Sequence, residues 1–146
     1  MEDNRGKIQH RERARQIISF DGMRYDNGTP TDIDGLFEWR NRAFIFYEFK
    51  MHGVEMPDGQ RKALERVVDA LGAADKKAVL FLCSHNVENP RDDVVAADAA
   101  VERIYYKGKW SDGHGWPAKD WTNSFMERVV GYIPNTEKEQ KHGAVQ

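Results

Sequence analysis

Apolar and polar positions change period several times along the chain, and each change predicts an element. Residues 17–20, Ile-Ile-Ser-Phe, are a short apolar run suited to a first strand. Asn27-Gly28-Thr29-Pro30 follows as a turn, because Asn-Gly tolerates positive φ and Pro30 blocks a helix. Residues 31–39 and 43–50 form the arms of a hairpin with its tip at Arg40-Asn41-Arg42. The second arm, AFIFYEFK, is apolar on both faces until its end, the pattern of a strand inside a sheet. Over 58–71 the period lengthens. Leu64, Val67, Val68 and Leu71 fall at i, i+3, i+4 and i+7, a helical stripe, with Asp58 suited to the N-cap and Gly72 to the C′ position. Residues 78–83 are a buried strand, followed by the polar loop SHNVENPRDD. The stretch 94–100 fits either period. Residues 101–106 alternate as a strand closed by a turn at Lys107-Gly108-Lys109, and a helix over 118–130 sets Trp121, Phe125 and Val129 on one side. The order predicts an α/β fold: a mixed β-sheet with flanking helices.

Composition narrows the class. The 146 residues suit a single domain, with apolar-poor ends at about 1–10 and 135–146 that are expected to fray. Four Trp, five Tyr and seven Phe are enough to build a core without staples. No apolar run approaches the roughly 18 residues of a membrane span, and the charged start has no apolar run after it. A cytoplasmic protein with no membrane partner is the expectation. The net charge of −2 gives no overall basic field, so a nucleic-acid binder would need locally clustered Lys and Arg. The lone Cys83 lies in an apolar run and is expected to be a buried thiol.

The informative chemistry lies in Thr31-Asp-Ile-Asp-Gly and Phe46-Tyr-Glu-Phe-Lys. Alternation projects Glu48 and Lys50 to one face and Tyr47 and Phe49 to the other. With a three-residue tip, Trp39 pairs with Ala43, Asp34 lies opposite Glu48, and Asp32 lies opposite Lys50. A two-residue tip instead sets Asp34 opposite Tyr47. Opposed side chains stand about 5 Å apart at Cβ, and two carboxylates that close repel unless a cation lies between them. A hard, oxygen-seeking ion such as Mg²⁺ fits.

Asp34, thirteen intervening residues, and Glu48-Phe49-Lys50 on an apolar strand followed by a helix resemble the PD-(D/E)XK nuclease superfamily. Gln60, one turn before Leu64, matches the polar residue such nucleases often carry near the start of that helix. The resemblance covers about 17–83 and implies a restriction-endonuclease-like αβββαβ core. It implies Asp34 and Glu48 as ligands of Mg²⁺ or Mn²⁺, with the carbonyl of Phe49 a third. Lys50 would orient or deprotonate the attacking water, and Gln60 would steady substrate or lysine. The chain departs from the family in having Pro30-Thr31-Asp32 rather than an adjacent Pro-Asp. Ile33-Asp34-Gly35-Leu36-Phe37 resembles the helicase-associated version of the motif, so Asp34 is preferred and Asp32 is the reserve. The implied activity is metal-dependent hydrolysis of phosphodiester bonds, foremost in DNA, and it is compatible with a homodimer. The alternatives are a catalytically inactive nucleic-acid- or protein-binding module on the same fold, and an interaction protein whose acidic face is merely solvated.

Other residues carry weaker signals. Glu38 shares the acidic face but lies near the tip, where solvent is expected. His85 suits a loop histidine, His114 a turn beside a buried Trp116, and Glu12 a solvated charge. Basic residues fall near the supposed rim of the site: Arg40 and Arg42, Arg61 and Lys62, Lys107 and Lys109. Tyr105, Tyr106 and Trp110 suit core packing, with base stacking the alternative.

Overall fold

The computed structural model describes residues 5–131. The chain divides into two compact units, one ending at Asp32 and the other beginning at Ile33.

In the described part of the first unit, the regular structure is a single helical turn, α1 (Arg11–Ala14), and a bridge joining Tyr25 and Gly28. Two backbone hydrogen bonds close that bridge, at 3.0 and 2.8 Å, with Asp26 at φ 53 inside it. The turn foreseen at Asn27 therefore exists, displaced toward Tyr25. The strand foreseen at 17–20 does not form: Ile17 is 93% exposed and no ladder partner lies beside it. Apolar residues alone do not make a strand, because the extended backbone needs a neighbour for its N–H and C=O groups. The described chain therefore has two strands, not three, before its main helix.

The second unit is a five-stranded mixed sheet. Its strands are β1 (Gly35–Trp39), β2 (Ala43–Met51), β3 (Lys77–His85), β4 (Ala100–Tyr106) and β5 (Lys109–Asp112), side by side in that order. All neighbours are antiparallel except β2 and β3, which are parallel and connected through helix α2 (Asp58–Ala73). A second helix, α3 (Ala118–Ser124), runs on into a wider π-helical turn at Phe125–Val130. The α/β class with flanking helices is as the hydrophobic pattern foretells.

The two helices cover opposite faces. Leu64 and Val68 of α2 bury against Phe46, Leu80 and Tyr105, while Phe125 and Met126 pack with Ile45, Val79, Phe81 and Val101. Helix α2 starts one residue earlier than foreseen, with Pro57 as N-cap and Asp58 as the first helical residue. It also runs through Gly72. Asp75, at φ 65, takes the left-handed position, and Lys76 N–H closes on the Leu71 carbonyl at 3.0 Å. The ambiguous stretch 94–100 holds a short 3₁₀ turn, Ala96–Asp98, before β4. Strand β5 escapes the periodicity because it is four residues long and mostly exposed.

Candidate active site

The hairpin tip sets the geometry. Trp39 pairs with Ala43 across the three residues Arg40, Asn41 and Arg42, and the ladder runs on to Gly35 opposite Tyr47. Arg40 and Asn41 take positive φ, 48 and 58, and Arg42 N–H reaches the Trp39 carbonyl at 2.9 Å. One step beyond the ladder, Asp34 meets Glu48. The Asp34 N–H donates to Glu48 Oε2 at 2.8 Å, and the Phe49 N–H donates to Asp34 Oδ2 at 2.9 Å. Each carboxylate thus holds the other residue's strand, and two acids at the end of β1 and β2 are brought together without an intervening lysine.

Glu48 is only 1% exposed, whereas Asp34 lies open to solvent. A buried carboxylate needs donors to offset its lost hydration. Beside Asp34 N–H, the side-chain amide of Gln60 supplies one, donating Nε2 to Glu48 Oε1. Gln60, expected to steady substrate or Lys50, instead bonds Glu48. Lys50 is half-buried and lines, with Glu48, an open pocket of about 780 Å³ together with Arg61, Ser84, Glu102 and Arg103. Among the described residues no carboxylate lies within ion-pair distance of Lys50. Tyr47 and Phe49 project to the opposite face, stacked with ring centroids 6.1 Å apart.

Asp32 is exposed, stands outside β1 and belongs to the first unit, and the ladder that would set it opposite Lys50 ends at Gly35. Glu38 is exposed and serves the tip, accepting the Asn41 N–H at 2.6 Å. His85 ends β3, and its Nδ1 accepts the Val87 N–H at 3.1 Å. Glu12 lies exposed in α1. The turn at His114 is as foreseen, but Trp116 is 54% exposed rather than buried. It stacks on Trp121 at 5.2 Å, and the core position goes to Trp121 instead. Gly113 anchors this turn: a Cβ there would stand 2.2 Å from the Val101 carbonyl oxygen.

The aromatics of β4 and β5 are core residues. Tyr105 donates its hydroxyl to Asp69, Trp110 donates Nε1 to Glu65 at 2.7 Å, and Tyr106 meets Phe125 edge-on. Burial, together with Asp69 and Glu65, pushes the Tyr105 hydroxyl up to about 12. Cys83 is buried as foreseen. Burial first, then the charges of Glu102 and Glu48, push its thiol up to about 12, the reverse of what a nucleophilic cysteine needs.

One pocket residue, Glu102, has no sequence signal. The β3–β4 register slips between Leu82 and Cys83, leaving Glu102 as the extra residue of a bulge. Its carboxylate accepts the Ser84 hydroxyl at 2.6 Å and lies 3.9 Å from His52 Nδ1. Alternation along β4 alone cannot reveal this, because a bulge exists only as a mismatch between two strands.

Two of the three basic pairs are reassigned. Arg61 reaches the pocket and Lys62 does not line it, whereas Arg40, Arg42 and Lys107 occupy turns, and Lys109 starts β5, at the other end of the sheet. The strand directions require this: β2 runs from the tip at Arg42 to the acids at its far end.

Among the described residues, no three His, Cys, Asp or Glu side chains are grouped to hold a metal, and no helix is long and apolar enough to cross a membrane. No protein-family model, curated protein or solved structure matches the chain.

Proposed function

We propose that the chain is a metal-dependent nuclease that hydrolyses phosphodiester bonds, with DNA as the foremost substrate. The observation that carries this reading is the crossed hydrogen bonding at the acid pair, Glu48 accepting the Asp34 N–H and Asp34 accepting the Phe49 N–H, with Gln60 on the same glutamate and Lys50 in the same pocket. These are the four side chains of the PD-(D/E)XK resemblance. The likeness supports the reading without a match from any known relative.

The donor set fits a hard divalent ion. Asp34 and Glu48 offer carboxylate oxygens that keep lone pairs beyond the hydrogen bonds they accept. Mg²⁺ characteristically takes one or two protein carboxylates and retains water, so the two acids Asp34 and Glu48 suffice as its charged protein ligands. The Phe49 carbonyl is the remaining protein donor. When bound, Mg²⁺ or Mn²⁺ would supply Lewis-acid polarisation of a phosphoryl oxygen.

The chain's own residues do the rest. Gln60 and the Asp34 N–H fix the Glu48 carboxylate in one orientation, so its ligand geometry is set before substrate arrives. Lys50, without a carboxylate partner among the described residues, keeps its ammonium available for a phosphate oxygen or the attacking water. The second reading is a non-catalytic nucleic-acid-binding module on the same scaffold, favoured by the exposure of Asp34, which leaves one acid of the pair open to solvent. Incubation with plasmid and single-stranded DNA in Mg²⁺, Mn²⁺ or EDTA separates the two. Cleavage that needs the metal and disappears in Glu48→Gln supports the nuclease. Metal binding without cleavage, at stoichiometric protein, selects the binding module.

A further inference from the structure

The turns at the far end of the sheet gather cations that the net charge of the chain conceals. Arg42 leads into β2, and its carbonyl accepts the Lys77 N–H at 2.9 Å, where β3 begins beside β2. Lys76 precedes it. The β4–β5 turn, Lys107-Gly108, closes over the same end, with Lys109 opposite Tyr106. Lys76, Lys77 and Lys107 line one recess of about 490 Å³.

Counter-charge there is scarce. Of the acids in the recess, Asp69 already accepts the Tyr105 hydroxyl at 2.9 Å on each oxygen, which leaves Asp75. Among the described residues, Arg42, Lys76, Lys77, Lys107 and Lys109 have no carboxylate within ion-pair distance. Elsewhere cations do pair, as Arg61 with Asp58 at 3.2 Å and Lys119 with Asp98 at 3.3 Å. Clustered like charges destabilise a fold through self-repulsion, so an unneutralised row in a chain of net charge −2 points outward to an anion.

We propose that this end of the sheet is a binding surface for the phosphate backbone of duplex DNA, distinct from the acidic pocket. From Arg42 on the β2 side to Lys109 on β5 is three strand spacings, about 14 Å. That is about four phosphate steps along one DNA strand, at roughly 3.4 Å each. The row is mostly lysine, a point charge without the planar fork that reads bases, so it binds without regard to sequence. A membrane surface fits less well. Anchoring to lipid needs apolar side chains beside the charges, and among the described residues none of the exposed large apolar ones falls in these turns. The surface deepens the nuclease reading by naming where substrate is held, about 20 Å along β3 from the pocket.

Fluorescence anisotropy with labelled duplex DNA in EDTA, titrated with KCl, tests it without any cleavage. The variant is Lys76→Gln/Lys77→Gln/Lys107→Asn, with Asn chosen because Lys107 has φ 51. Its circular dichroism and melting temperature should match the wild type. The expected result is weaker binding and a slope of log K against log salt shallower by about 2 to 3, roughly 0.9 for each contact removed. Lys76→Arg/Lys77→Arg should keep both. Because binding is read in EDTA, where no metal-dependent cleavage occurs, failure of this surface and failure of the nuclease reading are separable. Unchanged affinity in the triple variant overturns the proposal. So does an absence of duplex binding by the wild type, or lysine-dependent binding to phosphatidylserine vesicles in its place.

Discussion

The two faces of β2 and β3 are made from alternate residues of the same strands, yet they differ in kind. On the face under α3, Ile45, Val79, Phe81, Cys83 and Val101 form a largely dry cluster. On the face under α2, Phe46, Leu80, Leu64 and Val68 pack similarly at one end, but the other end holds Glu48 and Gln60, with Trp110–Glu65 and Tyr105–Asp69 bonds along the helix edge. The dry face is what stability by itself selects. A buried carboxylate is not: its desolvation cancels most of what its bonds return, and an apolar residue of similar volume would serve the fold at least as well. Glu48, at 1% exposure, is the feature of the α2 face on which the proposed chemistry rests.

The sharpest way to break that contrast is through rate. Lys50→Ala should lose about a hundredfold or more in cleavage while its melting temperature stays within a few degrees. Lys50→Arg should not rescue it, since a guanidinium keeps its proton and fits an ammonium's place poorly. Asp34→Ala should abolish activity, and Asp32→Ala should retain most of it. The reverse ranking, or wild-type cleavage by Lys50→Ala, would confine the likeness to the scaffold.

Stability comes next. Phe81→Ala, on the dry face, should cost about 3–5 kcal/mol, read from the urea midpoint with an unchanged m-value. Glu48→Gln should cost less, about 1–3 kcal/mol, because its new amide turns a donor toward either Asp34 N–H or the Gln60 amide. Exchanging the pair, Glu48→Gln/Gln60→Glu, restores a complementary donor and acceptor. Stability should recover while cleavage stays absent. Recovery of both would show that either position can carry the ligand.

The smallest effect is on pH. Cys83 and Tyr105 are acids raised from ordinary values of 9.0 and 10.0 to about 12 in the folded chain. Between these limits the unfolded chain releases protons that the native state keeps, so the contribution of these two groups is constant below pH 9 and is lost as pH rises toward 12. Urea midpoints from pH 8 to 11 should show the decline. Cys83→Ala should remove its onset near 9, and Tyr105→Phe the part beginning near 10. A decline unchanged in both variants would mean that neither group is responsible.

Local sequence determined a good deal. Helical spacing placed α2 and the helix over 118–130, alternation placed Glu48 and Lys50 on one face, and a three-residue tip led to Asp34 meeting Glu48. These follow from bonds and periods within one element or between adjacent ones, where few alternatives compete. What pairing over distance decides was not legible. The apolar residues 17–20 lacked a neighbouring strand, Glu102 entered the pocket through a bulge, and Trp121 rather than Trp116 filled the core. The basic turns gathered at the end away from the acids because the direction of β2 separates them, and their common recess arises where β3 lies beside both β2 and β4. Hydrogen bonding and packing between segments far apart in the chain fix such features, and residue order fixes them only through the folded whole.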